Sequence, residues 1–108
     1  MDAHVKDKYL QLLKYSNPNI VQQNAKKYFG KHTPIYISSR KDKKYMIPNQ
    51  HGKLVHFGAV GYADYTKHQD DERRRRYLQR ATKIRGNWKN DPYSSNNLSV
   101  SLLWDGIS

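Results

Sequence analysis

A chain of 108 residues suffices for one domain and, at 12.8 kDa, buries only about two thirds of its unfolded surface, so the core is modest. The absence of cysteine excludes disulfides and thiolate metal sites and suits a reducing compartment. No apolar leader occupies Met1–Asp7, and no run approaches the roughly 18 apolar residues of a membrane span. Twenty Lys+Arg against nine Asp+Glu give a net charge of +11 at a mean hydropathy of -1.04. Nine Tyr, two Trp and two Phe nevertheless supply large apolar areas and predict a folded chain.

Residues 2–15 place Val5, Tyr9, Leu10, Leu12 and Leu13 near helical spacing behind Asp2 as a candidate cap, which predicts a first amphipathic helix. Asn17-Pro18-Asn19 breaks it and opens a second, with Ile20, Val21, Ala25, Tyr28 and Phe29 as its apolar stripe and Gly30 as its end. Together these predict an N-terminal helical hairpin over residues 1–31. Beyond Thr33-Pro34, Ile35-Tyr36-Ile37 and Lys44-Tyr45-Met46-Ile47 are strand candidates. Pro48 to Gly52 is turn chemistry and Leu54 to Gly58 a further strand, so residues 43–58 are expected to form a β-hairpin.

Ala63 to about Arg85 contains neither Gly nor Pro and predicts the longest helix. Thr66 and Gln69 stand at capping-box spacing, Tyr77, Leu78, Ala81 and Ile84 mark the buried face, and Gly86 ends it. The segment 87–108 holds Trp88 and Trp104; Leu98 to Trp104 reads either as a strand or as a short helix capped by Asn96 or Asn97. Exposed, the apolar groups of Leu98 to Trp104 would serve a protein contact; docking in the core is favoured, because so small a chain needs all of them. The fold class expected is α+β, a single small domain: helical hairpin, β-hairpin or small antiparallel sheet, and one long basic helix.

The charge is not a tail. Basic against acidic residues run six to two over 1–31, five to one over 32–62, eight to four over 63–86 and one to two over 87–108. High charge by itself serves solubility, but self-repulsion on this scale costs stability unless counter-ions or a polyanion relieve it, which makes an acidic partner the expectation. Arg73-Arg74-Arg75-Arg76, followed by Arg80, Lys83 and Arg85, is the densest cluster; four consecutive positions circle a helix, so some of these guanidinium groups must face solvent, where their forks match phosphate. The competing reading is internal pairing of Asp70 with Arg74, Asp71 with Arg75 and Glu72 with Arg76. Arg40, Lys41, Lys43 and Lys44, with Lys53, form a second basic stretch interleaved with Tyr36, Tyr45, His56 and Phe57. That pattern serves base stacking in single-strand binders, although small domains use most aromatics as core.

Five histidines, His4, His32, His51, His56 and His68, carry no recognisable metal motif. Asp64, His68 and Glu72 share one helical face at four-residue spacing, which would suit a divalent ion, but an exposed stripe of this kind at a helix start serves capping and solvation. No phosphate-binding glycine loop and no nucleophile elbow occur, so neither a cofactor nor catalytic residues are expected.

The blocks Ser39 to Ile47, His51 to Gly58, Tyr62 to His68, Asp71 to Arg80, Gly86 to Lys89 and Asn90 to Trp104 resemble a family of short basic proteins encoded by large and giant double-stranded DNA viruses. The resemblance covers residues 38–104; residues 1–31 carry no such signature. It implies a virion component, present in the host cytoplasm or virus factory during assembly, and supplies no catalytic residues. The expected function is sequence-independent nucleic-acid binding, DNA before RNA, through Arg40, Lys41, Lys43, Lys44, Lys53, Arg73, Arg74, Arg75, Arg76, Arg80, Lys83 and Arg85. The alternative is a minor capsid protein contacting other capsid subunits, and a metal-dependent nuclease stands third.

Overall fold

The computed structural model describes residues 3–104. Its elements in chain order are α1 (Ala3–Leu12), α2 (Pro18–Phe29), β1 (Tyr36–Ile37), β2 (Lys43–Pro48), β3 (Leu54–Ala59), α3 (Tyr65–His68), α4 (Asp71–Ala81), a 3-10 turn (Trp88–Asn90) and α5 (Ser95–Leu98), which runs into a π-helical turn, Ser99–Leu103. The fold is α+β: the described residues form five α-helices and one three-stranded antiparallel sheet of order β1-β2-β3.

The expected cap at Asp2 lies outside the described residues. Helix α1 buries Leu12, while Leu10 is 52% exposed; Lys8 ties the helix to the sheet by donating to the carbonyls of Ser38 and Arg40 at 2.7 and 2.6 Å. Helix α2 starts as its sequence dictates. The Asn17 side chain accepts from Asn19 and Ile20, Pro18 fills the first turn, and Gly30 ends the helix at φ 75.

The β-hairpin pairs Tyr45 with Phe57 and Met46 with His56. Its turn is closed by Asn49, whose side chain accepts from the amides of His51 and Lys53. Tyr45, Ile47 and Phe57 are buried together with Val21, Ala25 and Leu98, Leu102 and Leu103. Residues 95–103 are helical, and their leucines are central to the core. Ser94, rather than Asn96 or Asn97, caps α5; Asn97 instead donates to the carbonyls of Trp88, Lys89 and Asp91, and Asn24 of α2 donates to the Leu102 carbonyl at 2.9 Å.

The long helix expected over 63–85 is interrupted. Gln69 adopts φ 54, ending α3, and Asp70 restarts the chain as α4 by accepting from the amides of Glu72 and Arg73. His68 Nδ1 accepts the Asp70 amide, so side chains satisfy the groups that a continuous helix would have paired with carbonyls. At the other end, the Thr82 hydroxyl donates to the Leu78 carbonyl, and α4 stops at Ala81. Ile84, expected on the buried face, is 53% exposed.

Among the described glycines, Gly58 is the one closely packed by its neighbours. At φ 83, a Cβ there would stand 2.8 Å from Leu103 Cδ1 and 3.2 Å from Lys44 Cβ. Gly58→Ala is expected to cost about 2–4 kcal/mol, combining left-handed strain with overpacking. A urea midpoint equivalent to a loss under about 0.5 kcal/mol would contradict this packing.

Candidate polyanion-binding site

A concave cleft of about 910 Å³ opens between the end of α1, the sheet, α4 and the C-terminal helix. Three separate segments contribute its cations: Lys14, then Lys43 and Lys44, then Arg73, Arg76 and Arg80. The arginines fall at i, i+3 and i+7 of α4, a single helical face about 10 Å long. Tyr15, Tyr62, Tyr77 and Trp104 supply aromatic surface, and among the described residues no acidic side chain lines the cleft.

Beneath it lies a buried polar network. Lys44 and Asp64 are 2% and 1% exposed; Lys44 Nζ donates to Asp64 Oδ2 at 3.0 Å and to the Tyr62 carbonyl at 2.6 Å. Asp64 Oδ1 also accepts the Thr66 amide and hydroxyl. Tyr45 Oη donates to Ser16 Oγ at 2.6 Å, and Ser16 in turn meets Thr66 Oγ1 at 3.3 Å. Since the Thr66 proton is directed to Asp64, Ser16 donates in this last contact. Burial pushes the Lys44 ammonium below its ordinary range, against the opposing pull of the Asp64 carboxylate. Burial likewise raises the Tyr45 phenol.

The floor is braced by aromatic contacts. Tyr77 and Trp104 stack with centroids 4.2 Å apart and planes at 8°, and His68 packs against Trp104 at 5.2 Å. Arg74 holds this arrangement, donating from Nε to the Trp104 carbonyl at 2.8 Å with its guanidinium 5.4 Å from the centre of the Tyr65 ring. Burial and the nearby Arg73 charge depress His68, which favours its neutral form.

The expected basic residues therefore divide. Lys43, Arg73, Arg76 and Arg80 converge on the cleft. Lys44, expected at a phosphate, is instead buried against Asp64, because desolvating an ammonium demands a charged partner. Arg40, Lys41, Lys53, Arg75, Lys83 and Arg85 are exposed but outside the cleft, and Arg74 serves Trp104. Of the stacking candidates, Tyr45 and Phe57 are core residues. Lys14, Tyr15, Tyr62, Tyr77 and Trp104 join the cleft from positions where the sequence pattern carries no binding signal.

Internal pairing absorbs only part of the charge on α4. Glu72 binds Arg75 at 2.5 Å and Arg76 at 3.3 Å, both exposed pairs of small net worth. Asp70 caps the helix, and Asp71 accepts the Tyr65 hydroxyl at 2.6 Å. Among the described residues Lys14, Lys43, Arg73 and Arg80 have no carboxylate within ion-pair distance. The Asp64, His68 and Glu72 stripe is dismantled by the break at Gln69, and no group of three or more His, Asp or Glu converges to hold a metal ion among the described residues.

Residues 33–81 match the model of a family of unknown function, DUF5754. The matched stretch runs from β1 through α4 and so includes the Lys44–Asp64 pair and the arginine face, while Lys14, Tyr15 and Trp104 lie outside it. No curated protein and no solved structure matches the chain.

Proposed function

We propose that this protein binds nucleic acid through the cleft, without reading base sequence, as a binding protein rather than a catalyst. The observation that carries the reading is the convergence of cations from three distant segments on one concave surface that, among the described residues, no acidic side chain lines. Guanidinium forks on Arg73, Arg76 and Arg80 would grip phosphate oxygens, and Lys14 and Lys43 would add point charges opposite them. Affinity would come from releasing counter-ions condensed on the polyanion, a term that every sequence supplies equally. The resemblance to proteins of large DNA viruses supports a setting in or beside a viral particle, where the protein would pack or anchor a genome.

The test is salt. With four or five phosphates neutralised, the affinity is expected to fall roughly 50- to 130-fold for single-stranded DNA and roughly 150- to 500-fold for duplex DNA between 50 and 200 mM salt. Salt-insensitive or absent binding would sink the reading. Equal or tighter binding of polyglutamate would transfer the cleft to an acidic protein surface, as a capsid contact requires.

A further inference from the structure

We infer that the cleft takes a single strand in preference to a duplex, with one unpaired base laid against the ring of Tyr62. This rests on the nucleic-acid reading above and specifies the form of its ligand. Tyr62 lines the cleft and is 73% exposed, more than any other large hydrophobic side chain among the described residues. Its backbone is nevertheless firmly held. The carbonyl of Tyr62 accepts the buried Lys44 ammonium at 2.6 Å, Gly61 before it turns the chain at φ 91, and two residues later the Asp64 amide is bonded to the Tyr15 carbonyl at 2.9 Å.

An aromatic ring presented to water from an anchored backbone gains little in the free protein, whereas a flat π-face beside it would remove both surfaces from solvent. A duplex keeps its base faces stacked inside and offers this ring only backbone. A single strand exposes them, and base–aromatic stacking next to a cationic track is how sequence-tolerant single-strand sites gain affinity. Lys43, Arg73, Arg76 and Arg80 furnish that track, and the cleft volume of about 910 Å³ accommodates a few nucleotides at most.

The full chain should be titrated by fluorescence polarisation with labelled oligothymidylate of about 12 nucleotides, an abasic phosphodiester of equal length and charge, and a matching duplex. Wild-type protein is expected to prefer oligothymidylate over the abasic strand by about 5- to 150-fold, the range that one stacked base provides. Tyr62→Ala should remove most of that preference while leaving abasic affinity and salt slope unchanged, and Tyr62→Phe should retain it. Equal binding of oligothymidylate and abasic strand, an equal loss on both in Tyr62→Ala, or tighter binding of the duplex would overturn the inference and leave the nucleic-acid reading standing. Failure to bind all three would overturn both.

Discussion

Asp64→Ala is expected to lower stability by about 3–5 kcal/mol, a larger loss than any other single polar substitution in this protein should produce. The substitution leaves the Lys44 ammonium at 2% exposure without its carboxylate, and an unpaired buried charge costs far more than the pair contributes. It also removes the acceptor of the Thr66 amide and hydroxyl, which starts α3. A double-mutant cycle separates these effects. Lys44→Met removes the charge that Asp64 compensates, so Lys44→Met with Asp64→Ala should be destabilised by at least about 1 kcal/mol less than the sum of the two single changes. Additive losses would mean that the two groups do not compensate each other.

The second large effect concerns binding. Arg73→Gln, Arg76→Gln and Arg80→Gln together are expected to weaken DNA binding roughly 10- to 100-fold at low salt and to reduce the salt slope by about 2 to 3, near one unit for each phosphate left without its cation. Stability should stay within about 0.5 kcal/mol of wild type, because these side chains are exposed and the one pair broken, Glu72 with Arg76, is a surface pair. A folded triple variant with an unchanged slope would remove the α4 face from the interface.

Local chemistry made much of the fold legible. Asn17, Pro18 and Gly30 bracket α2 through capping and φ preference alone, and the β-hairpin follows from strand formers on either side of a turn at Pro48 to Gly52. The docking of Leu98 to Leu103 followed from the scarcity of apolar groups. The break at Gln69 was hidden because neither Gly nor Pro marks it; it arises from side-chain bonds by His68 and Asp70 that compete with the helical ladder. The burial of Lys44 was equally hidden, since its partner lies twenty residues away. The cleft as a whole required the tertiary fold, which brings Lys14 at the end of α1 and Trp104 at the end of the C-terminal helix to the arginines of α4. Composition gave the excess of cations; only packing brings Lys14, Lys43, Arg73, Arg76 and Arg80 to one surface.

A charge-matched comparison tests that convergence most directly. Lys53, Lys83 and Arg85 are exposed and outside the cleft, so Lys53→Gln, Lys83→Gln and Arg85→Gln remove the same net charge as the cleft triple. Salt-dependent DNA affinity measured side by side should fall steeply in slope for the cleft triple and stay within about 3-fold of wild type, with a nearly unchanged slope, for the distal triple. Equal losses of affinity and slope in the two variants would contradict the account, because net charge rather than the cleft would then govern binding.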